Sequence, residues 1–133
     1  MHVAYLRSAA LAPFGHTPER DLEELTHPPI MAAVREAGLA PRDIDAVIGG
    51  SYASGTLTAQ RAIRGLGLSG RPVLNVENAC ASSAAAAALA ATLVRHEVYR
   101  NVLVLGVEQL SRTGTRLEPL RESCSTPSTS TFR

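Results

Sequence analysis

The chain has 133 residues, of which 45% are hydrophobic, enough for one domain with a core of ordinary size. Thirteen basic and twelve acidic residues leave a net charge of +1, which offers no electrostatic footprint for nucleic acid. Every basic residue is an arginine, so a lysine Schiff base, a lysine-held pyridoxal phosphate and a P-loop lysine are all excluded.

Val3-Ala4-Tyr5-Leu6 reads as a first strand and Leu11 to Gly15 as a loop. Arg7 lies inside this alternating pattern rather than before an apolar run, so no export signal is read here. Residues 16–27 are polar with a weak helical pattern at Leu22 and Leu25. Pro28 and Pro29 suit a helix start, with Thr26 or His27 near the cap. Ile30, Met31, Val34 and Ala37 give helical spacing, and Gly38 ends the helix.

A turn at Pro41 to Asp45 feeds a second strand, Ala46-Val47-Ile48, which Gly49-Gly50 closes into a loop. Thr58 to Leu66 reads as a short helix with Arg61 and Arg64 on its polar side. Pro72 to Val76 is a third strand. Residues 81–97 form an alanine-rich helix in which Thr92 alone is polar between Ala84 and Val94, so it is expected to be buried all round. Val102 to Val107 is a fourth strand without polar alternation, expected to be covered on both faces. Alternating strands and helices point to an α/β fold with a mixed, mostly parallel sheet. After Ser111 the character changes: residues 112–133 are rich in Ser and Thr and carry Pro119 and Pro127, and they read as a disordered tail.

The chemistry-bearing residue is Cys80, in Asn75-Val76-Glu77-Asn78-Ala79-Cys80-Ala81-Ser82-Ser83, followed by five alanines. A strand that runs through a small-residue turn into a strong helix former would place this thiol in the first turn of a helix. There the positive end of the helix dipole and unpaired N–H groups favour a thiolate. The bland reading is a buried structural cysteine in an apolar helix. Cys124 sits among Ser123, Ser125 and Thr126 and reads as an unpaired tail thiol. His16 and His96 read as surface residues, and His2, beside the terminus, carries no signal. Asn75, Glu77 and Asn78, at a strand end, read as turn and capping residues. No metal ligand set is read. The longest apolar run, residues 84–91, is too short to cross a bilayer, and two cysteines without an export signal suit a reduced, cytoplasmic setting.

Four ordered segments resemble the thiolase superfamily. Ser8 to Gly15 resembles the R-T-P-F-G opening, with Leu11-Ala12 where the family has Arg-Thr. Ala37-Gly38-Leu39 with Asp43 to Gly50 resembles the first helix-to-strand passage. Val76-Glu77-Asn78-Ala79-Cys80-Ala81-Ser82 resembles the nucleophile segment, in the form of the lipid-transfer-protein (sterol-carrier) type of thiolase. Val104-Leu105-Gly106-Val107-Glu108-Gln109-Leu110-Ser111 resembles the G-G-M-E-x-M-S strand end.

The resemblance covers residues 1–111 and implies the N-terminal half of a thiolase-like layered fold whose buried central helix follows the nucleophile. It implies acyl transfer from acyl-CoA through a thioester on Cys80, by thiolysis or Claisen condensation, with the coenzyme A thioester as substrate and no bound cofactor. It also makes Glu108 a buried structural partner near the site and sets the Asn75 strand near a dimer contact. The family's G-H-P and C-x-G motifs are absent, and His27, although it precedes a proline, follows Thr26 rather than glycine. Stand-alone activity is therefore expected to be very low, because the groups that stabilise the transition state come from a second half. The expected partner is a homodimer mate or another thiolase-like chain, with no nucleic acid and no membrane. The alternative is a non-catalytic thiolase-like interaction module or truncated relic, and the tail after Ser111 looks unlike a thiolase continuation.

Overall fold

A computed structural model describes residues 2–110. The segment 112–133 assigned above to a tail, with Cys124, lies outside the described residues. The elements run α1 (Leu22–Glu36), a 3₁₀ turn (Pro41–Asp43), β1 (Ala46–Gly50), α2 (Thr58–Ala62), β2 (Val73–Val76), α3 (Ser82–Arg95) and β3 (Val102–Gly106). The strands form a parallel sheet in the order β2-β1-β3, with Ile48 opposite both Leu74 and Val104. Alternate β1 residues face opposite layers. Val47 joins Leu103, Leu105 and residues of α1 and α2 in one core, while Ile48 packs with Ala86 and Ala90 of α3 in the other. The result is a three-layer α/β/α arrangement, the architecture that alternating strands and helices imply.

Helix α1 starts earlier than its prolines suggest. Asp21 accepts the Glu24 N–H at 2.8 Å and Glu24 accepts the Asp21 N–H at 3.0 Å, a reciprocal capping box. That signal outweighs Pro28 and Pro29, which lie inside the helix rather than at its start. Each proline lacks the N–H that would bond back to Glu24 or Leu25. The stripe Leu22, Thr26, Ile30, Val34 is buried at four-residue spacing and holds the helix to the core. Gly38 ends it in the left-handed region (φ 70°), with the Leu39 N–H on Val34 O and the Gly38 N–H on Arg35 O, both characteristic of a Schellman close.

The helix starting at Thr58 is shorter than its sequence pattern, ending at Ala62. Its N-cap, Leu57, has a positive φ and no capping side chain. Asn75 of β2 supplies that function from across the layer, accepting the Ala59 N–H at 2.9 Å while its amide donates to Gln60 at 2.7 Å. The starts of β1 and β3 are joined by Asp45, whose carboxylate accepts the N–H groups of Arg100 (2.8 Å) and Asn101 (2.9 Å). The bond from Asn101 is the main cause of a lowered Asp45 pKa, and partial burial works against it.

Four expectations are corrected. Val3 to Leu6 forms no strand: the segment is unpaired, and Leu6 is 87% exposed. Alternation marks a segment able to pair, but no neighbour offers a ladder to it here. Gly49 and Gly50 are not the loop after the strand; they are the last two residues of β1, paired in the sheet, where they allow close packing rather than chain reversal. Helix α3 is not buried all round. Only Ser82, Ala86 and Ala90 are buried, while Ala84, Ala87, Ala88 and Leu89 are exposed, because the sheet covers a single face of it. Strand β3 is an edge strand with alternating burial, and Val104 is exposed on the α3 side. No helix among the described residues is long and apolar enough to cross a membrane.

Candidate active site

The C-terminal ends of parallel strands are where an α/β sheet presents its reactive groups. Here β2 ends at Val76, and residues 77–81 turn the chain into α3. Cys80 is solvent-exposed on this turn. It precedes the N-cap residue Ala81, so it lies just before the first helical turn rather than in it. The displacement arises because Ala79 adopts a left-handed conformation (φ 46°), which inserts a tight elbow between strand and helix.

Several bonds hold that elbow. Ser82, 3% exposed, donates its hydroxyl to Ala79 O and accepts the Asn78 N–H, both at 2.7 Å. The Glu77 carboxylate accepts the Ala79 N–H at 2.7 Å. Backbone bonds run from Ala81 N to Asn78 O (2.9 Å) and from Ser82 N to Ala79 O (3.1 Å). Glu77 and Asn78 thus serve turn chemistry, as read from the sequence.

Close packing fixes the elbow against the sheet. A Cβ on Gly50 would lie 2.5 Å from backbone atoms of Ser82 and Ser83. A Cβ on Gly106 would lie 2.4 Å from the Ser83 hydroxyl. The N-terminus of α3 therefore rests directly on the ends of β1 and β3, where side chains are missing.

Glu108 organises the neighbouring strand ends. Its carboxylate accepts the Tyr52 N–H, the Ala53 N–H (3.1 Å to Oε2) and the hydroxyls of Ser51 and Ser54 (3.2 Å each). It is a structural partner, as the resemblance implied, but an exposed one, because the loop after β1 wraps it from one side only. Gln109 extends the tie: its N–H reaches Ser54 Oγ at 3.0 Å and its side-chain amide reaches Arg20 O at 2.6 Å. The Glu108 clamp could not be read from local patterning, since its partners lie more than 50 residues away.

The structure does not bring the histidines to Cys80 as a set. His96 caps the far end of α3, about 20 Å along a helix of this length. His2 pairs with Glu97 at 3.3 Å near that same end. His16 is exposed, and His27 lines a groove with Glu19, Arg20, Asp21, Glu23, Glu24 and Pro28. Among the described residues no group of three or more His, Cys, Asp or Glu side chains could hold a metal ion.

The arrangement can present a thiol at a strand end, on a braced elbow, in front of a helix N-terminus. Comparisons with known proteins agree with the fold. The sequence matches the thiolase N-terminal domain over residues 3–131, so the match runs on past Ser111. It is 32% identical over 94 residues to human sterol carrier protein 2, covering 70% of this chain and 17% of that protein. It is 29% identical over 97 residues to the non-specific lipid-transfer protein-like 2 of Caenorhabditis elegans, covering 73% of this chain and 24% of that protein. The chain thus spans a quarter or less of these relatives' length. Among solved structures, 3-oxoacyl-[acyl-carrier-protein] synthase III from Aquifex aeolicus VF5 superposes with a TM-score of 0.62 at 26% identity, over 70% of this chain and 31% of that one. On the match across residues 3–131 and the fold that accompanies it, the chain belongs to the thiolase family and carries its N-terminal domain.

Proposed function

We propose that this chain supplies the nucleophile of a thiolase-type acyl transfer. The Cys80 thiolate attacks the carbonyl carbon of an acyl-CoA thioester, a new S–C bond forms, and the bond to the coenzyme A sulfur breaks. The proton lost from the Cys80 thiol ends on the departing coenzyme A thiol. Holding the acyl group on Cys80 splits one difficult step into two easier ones: this thioester exchange and, in the condensing direction, attack of a carbon nucleophile on the Cys80 thioester, which releases the thiol. The observation that carries this reading is the exposure of Cys80 on a braced elbow at the C-terminal edge of the sheet. The names of the two relatives suggest a lipid-derived acyl group as the cargo.

The test is incubation of the full chain with a short-chain acyl-CoA, followed by intact-mass and peptide mass spectrometry. One acyl group is expected on Cys80 in the wild type and none at that position in Cys80→Ala. An unlabelled Cys80 under conditions that label a small-molecule thiol would rule the reading out. Turnover by the chain alone is expected to be very low, because the G-H-P and C-x-G motifs that complete such a site are absent from its sequence.

A second half or partner chain completes the site in this proposal. The exposed face of α3, with Ala84, Ala87, Ala88 and Leu89, favours an interface there, since apolar patches of that kind mark association surfaces. The same observation supports the alternative of a non-catalytic interaction module. Sedimentation at micromolar concentration should show self-association, or a complex with a thiolase-like chain when one is added. A monomer in both cases removes the partner proposal and leaves the acylation test to decide the chemistry.

A further inference from the structure

We infer that Ser82 is a positioning residue for Cys80, acting by locking Ala79 in its left-handed conformation. The inference rests on the reading of Cys80 as a nucleophile, and it specifies what holds that nucleophile in place.

A non-glycine residue at positive φ is unfavourable and persists only where its surroundings impose it. Ala79 has φ 46° and no side-chain polar group to stabilise itself. The constraint comes from Ser82. Its hydroxyl donates to the carbonyl of Ala79 and accepts the N–H of Asn78, so one buried oxygen spans the residue from both sides. Ser82 cannot shift to release the turn, because its backbone rests on Gly50, where even a methyl group would collide. The hydroxyl therefore transmits the rigid sheet contact to the elbow. Cys80 follows Ala79 directly, so the φ of Ala79 sets where the thiol projects relative to the first turn of α3. Were Ala79 to relax into the right-handed or extended region, the chain after it would take another course, and the thiol would leave its place in front of α3.

The experiment measures alkylation of Cys80 by iodoacetamide at neutral pH in the full chain. Labelling is resolved by peptide mass spectrometry, because the chain has a second cysteine, Cys124. Ser82→Ala is expected to slow labelling of Cys80 by about tenfold or more, the equivalent of the two hydrogen bonds its hydroxyl makes, with no change at Cys124. Ala79→Gly added to Ser82→Ala is expected to restore most of the rate, because glycine enters the left-handed region without the hydroxyl's help. Ser82→Thr, which keeps the hydroxyl, is expected to stay within about twofold of wild type. An unchanged rate in Ser82→Ala, or a loss that Ala79→Gly does not rescue, overturns the inference. If Ser82→Ala does not fold, Ala79→Gly alone is compared with Ala79→Gly/Ser82→Ala. Equal rates in that pair support the inference, and a loss in the double variant overturns it. Alkylation needs no acyl-CoA, so a positive result here alongside failed acylation would remove the proposed reaction and leave the positioning role intact.

Discussion

Gly50→Ala is expected to lower the stability of the chain by about 3 kcal/mol, the upper part of the range for an overpacked core. The added Cβ would sit 2.5 Å from the carbonyl carbon and oxygen of Ser82 and from the nitrogen of Ser83. All three are backbone atoms, so no side chain can rotate away. Relief requires α3 to lift from β1, which would also part Ala86 and Ala90 from Ile48. For a chain of 133 residues the loss corresponds to a fall in melting temperature of roughly 10 °C. Thermal melts followed by circular dichroism provide the check, with Gly15→Ala as control, since a Cβ at Gly15 meets nothing within 4 Å. A Gly50→Ala melt that coincides with the control would show that helix and strand are not in direct contact.

Glu108→Gln is expected to release the loop after β1 while leaving the fold intact. The carboxylate now accepts from two backbone N–H groups and two hydroxyls. Glutamine retains one oxygen and turns an NH₂ group toward donors it cannot satisfy. Hydrogen bonds to a charged acceptor exceed neutral ones, so the amides of Tyr52 and Ala53 should exchange about tenfold faster in hydrogen exchange. Global stability should change much less, because most of this loop is open to water, which replaces the lost partner. Protection at Tyr52 and Ala53 equal to wild type would mean that Glu108 does not hold the loop.

Local pattern disclosed most of the elements and little of how they meet. The apolar runs at Ala46, Val73 and Val102 become strands, and the spacing of Ile30 and Val34 becomes a helix face, because each follows the period of its element. Two prolines are a strong local signal for a helix start, yet α1 begins before them. The reciprocal bonds of Asp21 and Glu24 win because they satisfy two otherwise orphaned donors. Gly49 and Gly50 look alike as breakers or as packing positions, and only the proximity of Ala59 and Ser82 distinguishes the two. The exposed side of α3 was unreadable for a related reason: alanine suits a buried face and an open one equally.

Cys80 stood out through its flanking motif, and its place at a strand end was legible. The one-residue offset from the helix was not, since nothing in Asn78-Ala79-Cys80 announces a left-handed alanine. Glu108 and the loop it gathers are joined only by the third dimension.

The strand order β2-β1-β3 also bears on how the chain assembles. The central strand is the first to leave the ribosome, and both of its neighbours arrive later. Bringing β3 to β1 closes a loop little more than twice as long as the one that brings β2, at an added entropic cost of only about 0.7 kcal/mol. Loop length therefore discriminates weakly between the two pairings, and the direction of synthesis decides. The strand that leads into the Cys80 elbow can dock before α3 and β3 have emerged to join the sheet. The bracing from Ser82 follows with the helix, and the Glu108 clamp is the last of these restraints to close.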